Sequence, residues 1–98
     1  SFDQKERVLE IRYTDLGKAW QIVLGKDGST VLDAGSREAT TVIETPWDVW
    51  QSIARGEIRG DAALAKGMYR VTGDFSLADV SAAVRQQRVV KMIFFIGL

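Results

Sequence analysis

The hydrophobic period of this 98-residue chain changes at Pro46, its only proline. Before that point apolar side chains recur at every second residue, the spacing of a strand with one wet face. In Arg7 to Tyr13, Leu9, Ile11 and Tyr13 alternate with Glu10 and Arg12. Lys18 to Leu24 repeats the pattern, with Trp20, Ile22 and Leu24 on one side and Gln21 on the other. Gly25-Lys26-Asp27-Gly28 follows, and its Asp-Gly pair suits the positive-φ positions of a hairpin loop. Thr30 to Asp33 and Ala39 to Glu44 are the next expected strands, joined by a turn around Gly35. Four strands with short links predict an antiparallel meander.

After Pro46 the spacing becomes helical. Thr45 is the expected cap, Pro46 the first helical residue, and Asp48 the returning partner of a capping box. Trp47, Trp50, Ile53 and Ala54 then share one side, with Val49 beside them, and Gly56 offers a left-handed stop after Arg55. A second short helix is expected from Asp61, as cap, to a stop at Gly67. Met68 to Thr72 alternates again as a fifth strand. Ser76-Leu77-Ala78-Asp79 opens a further helix carrying Leu77, Val80 and Val84 and reaching at least Gln87. Val89 to Ile96 reads either as its continuation, the preferred reading, or as a β-branched strand. This order predicts an α+β fold, a five-stranded, mostly antiparallel sheet with helices covering one face.

Composition removes several functions. The chain has neither cysteine nor histidine, which leaves no disulfide, none of the usual zinc, iron or copper ligands, and no Cys-His or Ser-His-Asp nucleophile. No metal site and no cofactor are expected. Thirteen basic and thirteen acidic residues cancel and are scattered, so charge alone draws the chain to neither nucleic acid nor anionic lipid. No window approaches the roughly 18 apolar residues of a membrane span. The charged start, Ser1 to Arg7, lacks a signal core, which makes the cytoplasm the expected location. Gly60 to Gly67 is no phosphate loop, because Lys66 precedes the last glycine and no Ser or Thr follows a Gly-Lys pair. Asp48, Asp61, Asp74 and Asp79 each have a local role at a helix start or turn, so a catalytic carboxylate pair is not expected. Arg55, Arg59, Arg70, Arg85 and Arg88 are headgroup candidates, against the plainer reading of a solvated surface.

The stretch Thr45-Pro46-Trp47-Asp48-Val49-Trp50-Gln51-Ser52-Ile53-Ala54-Arg55-Gly56-Glu57 resembles the sterol carrier protein type 2 domains. The resemblance continues through Gly60-Asp61-Ala62-Ala63-Leu64-Ala65-Lys66-Gly67-Met68-Tyr69-Arg70-Val71-Thr72-Gly73-Asp74. Trp20-Gln21-Ile22-Val23-Leu24 and Asp27-Gly28 fit that family's opening hairpin. The match spans nearly the whole chain, but through diffuse, mostly structural residues. Members carry a helix before the first strand, and Ser1 to Glu6 is too short for one, so residues 1–98 are read as a single domain, one that a longer protein can carry. The terminal Ile96-Gly97-Leu98 also differs from a peroxisomal Ser-Lys-Leu address.

The resemblance implies an apolar tunnel between sheet and helices that takes a fatty acyl chain, a sterol or a phospholipid. Its expected lining is Trp47, Trp50, Ile53, Leu64, Met68, Phe75, Leu77, Val80, Val84, Phe94 and Phe95; for any one of these, plain core packing is the competing explanation. An empty dry tunnel of even ~300 Å³ would cost ~7 kcal/mol, at about 24 cal/mol per Å³. Typical stability is only ~5–15 kcal/mol. Such a space must therefore hold ligand, open to water, or collapse. The expected function is binding and transfer of an apolar small molecule, without catalysis. The alternative is a non-binding accessory domain that dimerises or partners an enzyme, as the apolar stretch Met92 to Ile96 would suit.

Overall fold

The computed structural model describes residues 6–25, 28–74 and 76–86, without the side chains of 77–79. Five strands, β1 (Arg7–Tyr13), β2 (Lys18–Gly25), β3 (Gly28–Asp33), β4 (Thr41–Thr45) and β5 (Arg70–Gly73), form one sheet. Helices α1 (Trp47–Ala54) and α2 (Gly60–Ala65) lie between β4 and β5, and α3 (Leu77–Arg85) follows β5.

Across the sheet the order is β3-β2-β1-β4-β5. The expected meander therefore ends at β3. β4 does not pair with β3; it lies on the far side of β1 and runs parallel to it, with Leu9 opposite Thr41 and Tyr13 opposite Thr45. The remaining pairings are antiparallel. The link 34–40 makes this crossing. Three strand spacings amount to about 15 Å, and seven extended residues reach about 23 Å, so a short link need not join neighbours.

What holds the link is polar. Glu10 and Gln21 are direct partners across β1 and β2, on the face away from the helices. Both are buried. The Gln21 amide donates to Glu10 Oε1 at 2.9 Å and to the Arg37 carbonyl at 2.8 Å, while its own oxygen accepts the Arg37 N–H at 3.1 Å. One side chain thus pairs with the link as a strand backbone would. At the end of the link, the Thr40 N–H donates to the Val8 carbonyl at 2.8 Å, and Thr40 Oγ1 accepts the Val8 N–H at 3.0 Å. Asp74, just past β5, donates its N–H to the Thr40 carbonyl at 3.2 Å.

The opposite face is the apolar one. Leu9, Ile11 and Tyr13 of β1, Trp20 and Ile22 of β2 and Ile43 of β4 meet Trp50, Ile53, Ala63, Tyr69, Val80 and Ala83 from the helical side. Each large side chain buried here contributes roughly 1.5–3 kcal/mol. Tyr13 organises one end of this layer. Its hydroxyl accepts the buried Trp20 Nε1–H at 3.0 Å, and the Trp47 ring stands edge-on to its own, centroids 4.9 Å apart.

Helix α1 begins one residue later than the sequence predicts, with Pro46 as the capping residue and no side-chain bond from it. Thr45 Oγ1 donates instead to the Pro46 carbonyl at 2.9 Å. The open Trp47 N–H is taken by Asp15 Oδ1 at 3.0 Å, from the turn between β1 and β2. The cap is thus supplied from 32 residues away, which a local pattern cannot reveal. Helix α2 begins two residues earlier than expected, with Arg59 in place of Asp61 as the capping residue, and Asp61 Oδ1 accepts the neighbouring Ala62 N–H at 2.8 Å. Both helices end as expected, on Gly56 (φ 75°) and Gly67 (φ 72°). The Glu57 and Met68 N–H groups reach back to the Ser52 and Ala63 carbonyls, both at 2.9 Å, completing Schellman turns. β5 starts at Arg70 rather than Met68, and α3 ends at Arg85. The question of Val89 to Ile96 lies outside the described residues.

Two predictions follow from the polar link. Gln21→Leu leaves the Arg37 N–H and carbonyl without their partner and should cost about 2–4 kcal/mol in urea unfolding, with faster hydrogen exchange in residues 34–40. An unchanged midpoint would refute it. Burial pushes the Glu10 carboxyl up, but the Arg12 guanidinium at 2.6 Å and the Gln21 amide outweigh it and hold the group below its ordinary value. A depressed folded value means stabilisation that is complete above the unfolded value of about 4.3 and lost as pH falls through the folded one. Wild type should therefore exceed Glu10→Gln in stability at neutral pH, with the gap narrowing below about pH 4; a pH-independent gap would contradict this assignment.

Candidate functional site

Between α1 and α2 the chain turns back on itself at Gly56, and this turn opens a cleft against α3. Ile53, Gly56, Ile58, Arg59, Gly60, Asp61, Val80, Ser81, Val84 and Arg85 line a volume of about 510 Å³. That falls within the roughly 300–1,000 Å³ of small-molecule sites. Ile53, Ile58, Val80 and Val84 supply its apolar lining; Arg59, Asp61, Ser81 and Arg85 supply the polar one. Arg59 and Arg85 are both exposed, so the cleft opens to solvent and holds no sealed dry void.

The geometry follows from small residues and one buried phenol. A methyl group placed on Gly60 would already touch Val80 at 3.4 Å, with Tyr69 Oη at 3.7 Å and Ile53 at 3.8 Å. These are ordinary van der Waals distances, so the start of α2 packs directly against α1 and α3 with room for a small residue. Tyr69 is buried, and its hydroxyl donates to the Gly60 carbonyl at 2.8 Å. Burial, followed by the nearby Asp61 carboxylate, raises the Tyr69 pKa, which keeps the phenol protonated as that donor. Behind it the Trp50 ring stands edge-on to Tyr69, centroids 5.9 Å apart. On the polar side, Arg59 donates to Asp61 Oδ2 at 2.6 Å. With the Arg59 side chain 83% exposed, this pair shapes the rim more than it stabilises the fold.

Of the expected lining residues, the cleft brings together Ile53, Val80 and Val84. Trp50 lies fully buried within the core, and Trp47 is half-buried against Tyr13. Leu64 packs half-buried on the core, away from the cleft lining. Met68 is exposed and borders a separate surface depression of about 230 Å³ with Thr14, Glu44 and Arg70. Leu77 begins α3, but its side chain is outside the described residues, as are Phe75, Phe94 and Phe95 altogether. Sequence reasoning missed Ile58 and Ser81 and gave Gly60 no part in a site. A usable signal for Ile58 was present: a branched apolar residue in a loop between Gly56 and Gly60 has no periodic reason to be there.

The profile of the SCP-2 sterol transfer family matches residues 3–85. The chain belongs to that family. A search of the curated proteins returns no match. Among solved structures, SCP-2 folds recur. A crystal structure of sterol carrier protein 2 shares 24% identity with this SCP-2 domain, at a TM-score of 0.53, covering 93% of this chain and 76% of that one. The ubiquinone synthesis protein UbiJ-SCP2 shares 18%, with a TM-score of 0.61 over 80% of this chain and 67% of that one. The inverting sec-alkylsulfatase Pisa1 from Pseudomonas sp. shares 17%, with a TM-score of 0.65 over 76% of this chain. The matched region spans only 12% of that sulfatase's length. At these identities the likeness establishes the fold, a five-stranded mixed sheet carrying helices. Among the described residues no helix of this SCP-2 domain is long and apolar enough to cross a membrane, and no group of His, Cys, Asp or Glu is placed to hold a metal ion.

Removing the phenol tests how the cleft is held open. Tyr69→Phe leaves the Gly60 carbonyl without its donor and should cost about 0.5–1.5 kcal/mol in unfolding free energy, with added exchange at the start of α2. No change in either would show that the bond does not position the cleft.

Proposed function

We propose that residues 1–98 form a single domain that binds the apolar part of a lipid in the cleft between α1, α2 and α3, and carries it without acting on it chemically. The observation that carries this reading is the cleft's apolar lining, Ile53, Ile58, Val80 and Val84, beside a charged rim. Membership of the SCP-2 sterol transfer family supports it. An amphiphile would lay its chain on the apolar residues and keep its head at the rim. Each fully buried methylene returns about 0.8 kcal/mol, and a cleft open on one side realises only part of that. Association costs reduce the net further. Such a site holds its ligand reversibly, as a carrier must.

A second reading has its own support. The resemblance to a stretch covering 12% of an alkylsulfatase chain favours an accessory domain carried by, or partnering, an enzyme. The two readings part on ligand binding.

Native mass spectrometry of the purified domain, followed by lipid extraction, separates them. The carrier reading expects a stoichiometric acyl or sterol mass, or a mass shift on incubation with fatty acid, acyl-CoA or sterol. An apo mass that none of these shifts would overturn it and leave the accessory domain. Ile58→Glu places a carboxylate among the apolar residues of the cleft from a loop outside the sheet. It should weaken binding at least about tenfold with an unchanged circular dichroism spectrum. Undiminished binding would place the ligand elsewhere.

A further inference from the structure

The rim of the cleft carries charges of unequal standing. Arg59 and Asp61 neutralise each other at 2.6 Å. Arg85, at the last turn of α3, lines the same cleft, and its guanidinium has no hydrogen bond or ion pair among the described residues. It also borders a second depression of about 240 Å³, shared with Leu24, Ser29 and Gln86, so the residue stands between two openings. Among the described lining residues, two arginines against one aspartate leave one unmatched positive charge beside Ile53, Ile58, Val80 and Val84.

Resting on the reading of this cleft as a lipid site, we infer that Arg85 is a specificity-determining residue that selects an amphiphile with a single negative charge, a long-chain carboxylate, over a neutral lipid of the same length. A guanidinium presents parallel N–H donors that match a carboxylate's two oxygens, and it stays charged at any physiological pH. A neutral alcohol or sterol hydroxyl gains no such pairing. A headgroup with several negative charges exceeds the one positive charge left unmatched at the rim. The cleft therefore matches a monoanion in charge as well as in apolarity.

The test compares laurate with dodecanol, which share a chain and differ in head, by calorimetric titration of the full chain below micellar concentrations. Wild type should bind laurate about five- to tenfold more tightly than dodecanol at low salt, with the preference shrinking as salt is raised. Arg85→Gln should abolish the preference by weakening laurate binding about five- to tenfold more than dodecanol binding. Asp61→Asn retains the oxygen that accepts the Ala62 N–H and removes the opposing charge, so it should strengthen laurate binding several-fold. Equal wild-type affinity for the two, or a preference that survives Arg85→Gln, would overturn the inference and leave the apolar site standing. Binding of neither would overturn the site itself.

Discussion

The buried amide of Gln21 is the contact on which the architecture turns. It gives the link 34–40 a partner on the outer face of the sheet, by bonding both the N–H and the carbonyl of Arg37. With the link fixed there, β4 is delivered beyond β1 and runs parallel to it. The chain then leaves β4 at Thr45, the end that stands beside Tyr13, and α1 starts next to the β1–β2 turn. A meander with β4 beside β3 would place α1 at the other edge of the sheet, away from Asp15 and Tyr13. The position of the helical layer is thus a consequence of a polar contact on the face opposite to it.

From that starting point the cleft is built by successive small constraints. Asp15 and the Tyr13 ring fix the first turn of α1. The Schellman turn at Gly56 reverses the chain, and Ile58 is carried into the space so created. The start of α2 packs at Gly60 against Val80 and Ile53, and Tyr69 ties the Gly60 carbonyl back to the core. The lining that results is apolar where three helices converge and charged where solvent reaches it. This is the division of surface an amphiphilic ligand requires.

Much of this was legible in the sequence, and the illegible part has a definite cause. Alternation in Arg7–Tyr13 and Lys18–Gly25 marks strands whose inner residues are those found in the core. Gly56 and Gly67 stop their helices as their backbone freedom predicts. The parallel placement of β4 was not legible, because periodicity reports which face a residue takes and says nothing about which strand lies beside it. The cap of α1 escaped for the same reason, since Asp15 is distant in sequence and adjacent only in space. The candidate site was read in part. Ile53, Val80 and Val84 carry helical spacing and converge on the cleft, whereas Trp47 and Trp50, identical in pattern, are used to join helix to sheet. Helical spacing identifies an inward side chain without distinguishing one that fills the core from one that borders a space.

The proposed seating of an apolar ligand against α1, α2 and α3 is tested most directly by methyl-resolved NMR during titration with laurate. It predicts chemical-shift changes at the methyl groups of Ile53, Ile58, Val80 and Val84, with Val8 and Val23 on the outer face of the sheet unmoved. Changes confined to the outer face, or none at any ligand concentration, would contradict it.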